Sequence, residues 1–253
     1  MITNLPGDWA MCGERCIAPE GLRTMVGIGM LTGFLIAWDG STYRFTRNGV
    51  ERHAWARSGA NVIEHAGNGG IHLGIAASFA LGGLIADDSR ALRTASQAVE
   101  GLLASGIIVQ VLKHMTGRES PAEASADGGK WRFFPGLKTY NRNQARYYAF
   151  PSGHIATTMT TVTIIADNYP ELGWIRPVGY TLVGLVGASL VGVRYHWYSD
   201  LPLGVAIGYT VGTIVAGRDR QGSRTEGATV RSPLTLQPSV GPVGAGVSLE
   251  YSF

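Results

Sequence analysis

Charged residues are scarce in this sequence: they make up 15% of its 253 residues, whereas 45% are hydrophobic. Soluble globular domains usually contain about 25% charged residues, so a strongly charged, solvated surface is not expected. The net charge of +3 is too small to argue for a nucleic acid partner. The composition instead indicates helices that are buried or that face lipid.

Cysteine is nearly absent, because Cys12 and Cys16 are the only two. A zinc site would need further ligands at a suitable spacing, and none lies nearby, so no metal and no other cofactor is expected. The pair forms a local disulfide if the N-terminus faces an oxidising compartment, and it consists of free thiols otherwise.

Apolar runs with the full length of a membrane span are also missing. Six apolar segments are present, but they reach only about 12 to 17 residues, where a spanning helix needs about 20. They are Met25–Trp38, Gly70–Ala86, Ala98–Leu112, Ile155–Ala166, Val178–Val193 and Leu201–Ala216. Small residues four apart, as in Gly29 with Gly33 and Gly204 with Gly208, favour close helix packing. We therefore predict an all-α bundle of about six apolar helices embedded in a membrane, with a periplasmic soluble helical protein as the alternative.

The two ends of the sequence differ from this helical part. The first 22 residues carry four charges, among them Asp8 and Glu14, where a signal peptide would need an apolar core. We assign residues 1–24 to an N-terminal segment, 25–217 to the helical domain and 218–253 to a linker and tail. The alternating residues within 243–253 predict a short β-strand, which needs a partner.

Two histidine-bearing stretches carry the chemistry, and the first reads Ala149-Phe150-Pro151-Ser152-Gly153-His154. Its proline ends the preceding element, its glycine lets the backbone approach an anion closely, and free amides at a helix start bind anions. His154 is a candidate proton donor, because an unperturbed histidine titrates near neutral pH.

The second stretch reads Arg194-Tyr195-His196-Trp197-Tyr198-Ser199-Asp200. His196 and Asp200 are four residues apart and share a face if a helical turn connects them. A carboxylate there orients one ring nitrogen and leaves the other free as a nucleophile. Upstream, Lys113 and Arg118 close an apolar run, which suits either a helix end or an anion site.

Taken in order, the three elements resemble the superfamily of type 2 phosphatidic acid phosphatases, bacterial class A acid phosphatases and vanadium haloperoxidases. The family pattern is a lysine, six residues and Arg-Pro; then Pro-Ser-Gly-His; then Ser-Arg, five residues, a histidine, three residues and an aspartate. The positions in register are Lys113, Pro121, Pro151, Ser152, Gly153, His154, Ser189, His196 and Asp200. The resemblance implies that His196 is the nucleophile, that Asp200 orients it and that His154 protonates the leaving oxygen.

Two arginines of the family pattern are missing. Ser120 stands where the first motif has its arginine, and Leu190 stands where the third has its own. Arg118 lies two positions before the first site and Arg194 four after the second, and a shift of four along a helix keeps nearly the same face. We therefore predict that the phosphate is held by Lys113, Arg118, Ser152, Gly153 and Arg194.

The predicted activity is metal-independent hydrolysis of a lipid phosphate monoester or an isoprenyl diphosphate through a phosphohistidine, with membrane lipids as partners. The alternatives are a periplasmic soluble acid phosphatase acting on small phosphate esters, a lipid phosphotransferase and a non-catalytic lipid-binding relative. The predicted location is the bacterial inner membrane with the active site on the periplasmic side, although the arginines of segment 39–69 oppose that orientation.

The long segment 119–150, between the first two phosphate motifs, is predicted to be a loop. It either covers the substrate or forms an interfacial belt of aromatic and cationic residues.

Overall fold

The computed structural model describes residues 4–227, 234–241 and 244–251, with side chains described as far as residue 218. Within these ranges the chain forms nine α-helices and one β-hairpin, which confirms the predicted all-α bundle. The helices are α1 (Leu5–Ile17), α2 (Pro19–Arg52), α3 (Ala54–His65), α4 (Gly69–Ala86), α5 (Ser89–Thr116), α6 (Leu137–Arg142), α7 (Gly153–Asn168), α8 (Ile175–Gly192) and α9 (Leu201–Gly227). Two short 3-10 helices, Gln144–Arg146 and Tyr198–Asp200, lie between them.

Five helices are long and apolar enough to cross a membrane: α2, α4, α5, α8 and the stretch Tyr198–Arg218 that includes most of α9. They exceed the apolar runs of the sequence because each helix continues past the run that marks it. α2 has 34 residues, which corresponds to a length of about 50 Å. The short apolar runs are therefore compatible with full spans.

The sixth predicted segment lies in α7, a shorter helix that packs against α4, α5 and α8. Ten of its 16 residues are buried, several of them threonines. Thr158 Oγ1 donates to the His154 carbonyl and Thr160 Oγ1 to that of Ala156, each at 2.8 Å. Because most of its residues are buried against three other helices, α7 lies in the interior of the bundle rather than forming a lipid-facing span.

Close packing of α9 on α7 depends on glycine. A Cβ at Gly208 would lie 2.4 Å from the Ala156 carbonyl oxygen, and one at Gly204 would lie 2.7 Å from that of Ser152. The small-residue prediction holds for this pair. It does not hold for Gly29 and Gly33, since a Cβ there would meet no described atom within 4 Å.

The segment between α5 and α7 is folded around the buried carboxylate of Glu119. Its oxygens accept hydrogen bonds from the Ser125 and Lys130 backbone N–H groups and from Arg132. Although burial opposes ionisation, these hydrogen bonds lower the pKa of Glu119. The predicted loop is thus an ordered segment that contains α6 and a 3-10 helix.

The chain divides into two compact units, Met1–Gly217 and Arg218–Phe253. In the second, β1 (Leu234–Gly241) pairs in antiparallel fashion with β2 (Gly244–Tyr251). The predicted strand corresponds to β2, and its partner is the preceding segment, which the sequence interpretation did not assign to a strand. In the first unit, Cys12 and Cys16 are free thiols on α1.

Candidate active site

His196 lies in the turn after α8, not on a helix. α8 ends at Gly192, and the next element is the 3-10 helix Tyr198–Asp200. The side chain of His196 is completely buried. Its Nδ1 lies 2.8 Å from the Ala149 carbonyl oxygen and 3.5 Å from Asp200 Oδ2, whereas Nε2 is buried with no hydrogen-bond partner in the described part of the chain. Two acceptors beside Nδ1 keep the proton there, so Nε2 carries the free lone pair.

Asp200 is fixed by donors on both carboxylate oxygens. Oδ2 accepts the Trp197 backbone N–H at 2.7 Å, and Oδ1 accepts Arg118 Nη1 at 2.5 Å. The Asp200 carbonyl accepts the Ser152 backbone N–H at 2.9 Å, which ties the second motif to the third. The carboxylate therefore has one orientation, with Oδ2 turned toward His196.

His154 is the second residue of α7 and lies next to this pair. Ser152 caps the helix, because its Oγ accepts the Ile155 backbone N–H at 3.4 Å. The ring centres of His154 and His196 are 6.1 Å apart, with the ring planes at 70°. The His154 ring also stacks on Tyr195 at 6.4 Å. A phosphoryl group bound between the two imidazoles would contact both, which is the arrangement that nucleophilic attack with general acid catalysis requires.

Lys113 is the cation that the structure brings to the histidines. It occupies the last turn of α5 and is buried. Its Nζ lies 3.7 Å from the position of a Cβ on Gly153 and 5.1 Å from the ring centre of Tyr148. Tyr148 in turn presents its ring to His196 at 6.2 Å between ring centres. Lys113, Gly153 and Tyr148 thus border the space beside the two histidines.

Arg118 is placed differently from the sequence prediction. Its guanidinium is completely buried and donates to Asp200, Ser199 and Asp39, and also to the Gly128 carbonyl through Nε and Nη2. Its ring neighbours are Trp131 and Trp197, at 4.6 and 5.6 Å from the guanidinium carbon. Since a guanidinium has five N–H donors and all five have acceptors here, Arg118 supports Asp200 and has no donor left for a phosphate.

The position of Arg194 also differs from the sequence prediction, which placed it one helical turn after Leu190. That argument requires a helix continuing from Leu190, but α8 ends at Gly192 and Arg194 has a left-handed backbone with φ of 72°. The Arg194 carbonyl accepts the Ala122 backbone N–H, and Nη2 donates to the Ala122 carbonyl at 3.3 Å. Its Nε is buried without a partner in the described structure. Arg194 therefore lies against the segment just after Ser120, the position of the first missing arginine.

Several residues of this network were missed from sequence. Asp39 follows the apolar run of α2 directly, and an ionisable residue next to a span is a recognised signal of function. Tyr148 stands beside the second motif, but a tyrosine there has no distinctive spacing. The two tryptophans that flank Arg118 carry no signal in the sequence. Among the described residues, no three His, Cys, Asp or Glu side chains group as metal ligands.

Electrostatics favour neutral histidines at this site. Burial, with His196 and Lys113 acting in the same direction, lowers the pKa of His154 to about 4. Burial also lowers the pKa of His196, against the opposing effect of Asp200. A phosphate dianion next to His154 would raise its pKa again, because a nearby negative charge favours the imidazolium.

Comparisons with known proteins agree with this architecture. A lipid A 1-phosphatase from Porphyromonas gingivalis is 34% identical over 67 residues, which are 26% of this chain and 15% of that protein. The match therefore spans a small part of that relative. A crystal structure described as the first transmembrane PAP2 type phosphatidylglycerolphosphate phosphatase, from Bacillus subtilis, superposes with a TM-score of 0.58. It is 18% identical and covers 78% of this chain and 96% of its own, which shows a shared fold.

The family model of the PAP2 superfamily matches residues 94–220, half of the chain and the part that holds all three motifs. This match, the fold and the motif residues gathered around His196 lead to one conclusion: the chain belongs to the PAP2 superfamily.

Proposed function

We propose that this protein is a phosphatase that hydrolyses a lipid phosphate monoester or an isoprenyl diphosphate through a phosphohistidine. The observation that carries the proposal is the buried His196: its Nδ1 lies beside two acceptors, while its Nε2 has no hydrogen-bond partner among the described residues. A nucleophile oriented by a carboxylate in this way needs no further activation to attack phosphorus.

The reaction takes two balanced steps. In the first, Nε2 of His196 forms a bond to phosphorus as the bond to the leaving oxygen breaks, and His154 gives that oxygen a proton. In the second, a water attacks phosphorus, its proton passes to His154, and the P–N bond breaks to release inorganic phosphate. Asp200 stabilises the positive charge that His196 carries while it is phosphorylated.

We propose that the phosphate oxygens are bound by Lys113, the Gly153 amide, Ser152 and Arg194. Lys113 Nζ lies close to Gly153, and the first amides of α7 point out of its N-terminus, where anions bind. Arg194 is held against the segment after Ser120, and its buried Nε has no partner within the described part of the chain. We infer that it replaces the arginine missing at Ser120, not the one missing at Leu190. Such charge stabilisation supplies most of phosphoryl-transfer catalysis.

A lipid substrate is supported by the surroundings of the site. The catalytic residues stand at the ends of α5, α7 and α8, two of which are long and apolar enough to cross a membrane. A phosphate pocket at such helix ends lies near the headgroup level of a bilayer. The two relatives described above act, by their names, on lipid phosphates.

We propose that the active-site end faces the periplasm. The opposite end carries Arg90, Arg93 and Arg176, as expected for a cytoplasmic side. The arginines of segment 39–69 act against this orientation, although two of them are paired: Arg44 with Asp127 and Arg47 with Glu51.

Labelling single cysteines at Ser58 and at Ser89 in intact cells tests the orientation. The proposal expects an impermeant maleimide to reach Ser58→Cys only.

The test of the activity is phosphate release from phosphatidic acid and from an isoprenyl diphosphate, in chelator, by purified protein in detergent. We expect His196→Ala to lose at least about a thousandfold in kcat, the size of effect seen when a catalytic nucleophile is removed. His53→Ala, which changes an exposed histidine outside the site, serves as the matched control and keeps full activity. Undiminished turnover by His196→Ala would contradict the mechanism, and binding of lipid phosphate without turnover by the wild type would favour a non-catalytic relative.

A further inference from the structure

Asp39 is a buried carboxylate on a helix that is otherwise mostly exposed. Only 6% of the apolar window of α2 is buried, yet Asp39 is completely buried. Its Oδ2 accepts Arg118 Nη2 at 2.6 Å and Ser199 Oγ at 2.5 Å, and Oδ1 accepts the Ser199 backbone N–H at 3.2 Å. Every one of these contacts is made with the network behind His196. Asp39 therefore links α2 to the residues behind the nucleophile.

The Arg118 guanidinium is shared between two carboxylates. Nη2 donates to Asp39 and Nη1 to Asp200, and both side chains are fully buried. One positive charge thus faces two negative charges, which leaves an excess of one negative charge behind the nucleophile. An imidazolium or a phosphorylated His196 supplies the positive charge that balances this excess.

Arg118 shares its hydrogen bonds and its positive charge between Asp39 and Asp200. This sharing decides how much of the negative charge of Asp200 is available to stabilise His196. With Asp39 present, Asp200 Oδ1 accepts a hydrogen bond from Arg118, and Oδ2 contacts the Trp197 amide and the His196 ring. Without the charge of Asp39, the whole guanidinium charge would fall on Asp200. The imidazolium form of His196 would then be less stabilised.

We propose that Asp39 is a positioning residue for catalysis: by holding Arg118 away from full pairing with Asp200, it reserves the Asp200 carboxylate for His196. The proposal rests on the function proposed above. It also assigns a role in the reaction to α2, which lies outside residues 94–220 matched by the family model.

The charged and titratable groups around His196 have to be considered in any test that uses pH. They are Asp200, Lys113, His154 and Tyr148 on the side of the site, and Arg118 with Asp39 behind Asp200. Replacing Asp39 changes none of the groups that border the phosphate space.

The experiment compares Asp39→Asn, Asp39→Glu and wild type for kcat, KM and the pH dependence of kcat. Asparagine keeps the size of the side chain and removes its charge. We expect kcat to fall about 10- to 100-fold, the scale of a slightly misplaced catalytic group, with KM changed less than threefold. The acid limb of the profile, which reports protonation of His196, should move to lower pH, because removing a negative charge makes the imidazolium less stable.

Two matched variants separate charge from structure. Asp127→Asn breaks the exposed ion pair with Arg44, and Ser199→Ala removes a hydroxyl that bonds Asp39 without removing a charge. Both are expected to keep the acid limb where it is in the wild type. If Asp39→Asn does not fold, Asp39→Glu carries the test: a lower kcat with an unmoved acid limb supports the proposal, and wild-type kcat or a displaced limb contradicts it.

A readout without turnover distinguishes this proposal from the proposed function. NMR titration of labelled histidine in detergent micelles follows the His196 ring directly, and Asp39→Asn should lower its pKa relative to the wild type. A wild type that hydrolyses no phosphate ester would overturn the proposed function. An Asp39→Asn variant with wild-type kcat and an unchanged His196 titration would overturn the role of Asp39 alone.

Discussion

Arg118 and Arg194 carry the same charge near the same site, but their surroundings give them different roles. Arg118 is enclosed by two tryptophans and two carboxylates, so its contribution is to the network behind the nucleophile. Arg194 is half-buried, and its Nε is a buried donor without a partner in the described structure. A substitution at each should therefore change a different property.

We expect Arg118→Met to destabilise the protein and Arg194→Met to weaken phosphate binding. The first leaves Asp39 and Asp200 buried without their partner, and breaking a buried pair in this way costs about 3–5 kcal/mol. The second should leave thermal unfolding in detergent nearly unchanged and weaken the binding of vanadate, a phosphate analogue, about tenfold. An Arg118→Met protein as stable as the wild type, or unchanged vanadate affinity in Arg194→Met, would contradict these roles.

The two histidines also make stability depend on pH. The pKa of His154 in the folded protein is about 4, whereas an unfolded histidine titrates at about 6.5. The unfolded chain therefore binds more protons below that value, and stability is lost as the pH falls from about 6.5 toward 4. His154→Gln should reduce this loss in a series of thermal unfolding measurements, with His53→Gln as the control. Equal acid sensitivity of both variants would show that His154 does not titrate in this way.

At the level of the helices, the close contact between α7 and α9 gives the most direct test of the packing. Ala at Gly208 would place its Cβ 2.4 Å from the Ala156 carbonyl oxygen, whereas a Cβ at Gly217, also on α9, meets no described atom within 4 Å. We expect Gly208→Ala to lower stability by about 1–3 kcal/mol, the usual cost of overpacking. Gly217→Ala should be neutral or slightly stabilising, because alanine favours a helix. Equal melting temperatures for the two variants would contradict the close approach of the helices.

The segment between α5 and α7 presents apolar side chains to the outside. Phe133, Phe134 and Leu137 are exposed, and the last two border a groove along the exposed face of α5. Their position next to a candidate span favours the interfacial belt over a loop that covers the substrate.

The variant Phe133→Ser with Phe134→Ser tests this interpretation. It should lower activity on phosphatidic acid in vesicles several-fold, because the aromatic side chains no longer seat the segment at the interface. Activity on a short-chain, water-soluble phosphate ester should not change. Loss of both activities to the same degree would instead support a role over the substrate.

At the scale of the whole molecule, the sequence identified the elements better than their connections. The apolar segments and the three motifs predicted the helical bundle, and His154, His196 and Asp200 do lie together. The His196–Asp200 contact arises from a turn and a 3-10 helix, whereas the i,i+4 spacing predicts a shared face only if a helical turn connects the two residues. Spacing reports only that two residues are near each other along the chain, so it does not distinguish these conformations.

The roles of Asp39, Arg118 and Arg194 could not be predicted for a different reason. Asp39 is 79 residues from Arg118 along the chain, and no local pattern reports a contact over that separation. The positions of Ser120 and Leu190 showed only that two arginines were missing. Which cation stands in for them depends on how the turn after α8 packs against the segment at Ala122, and that packing is a property of the folded chain.

The central claim is that His196 is phosphorylated during turnover, and trapping of the phosphoenzyme tests it most directly. Nitrophenyl phosphate is a suitable substrate, because its leaving group needs no proton from His154. With His154→Gln, attack by water lacks its base, so the phosphoenzyme should accumulate and mass spectrometry should place the phosphoryl group on His196. The account predicts an acid-labile, base-stable adduct at His196 that is absent from His196→Ala. Product formation without any adduct, or an adduct on another residue, would contradict it.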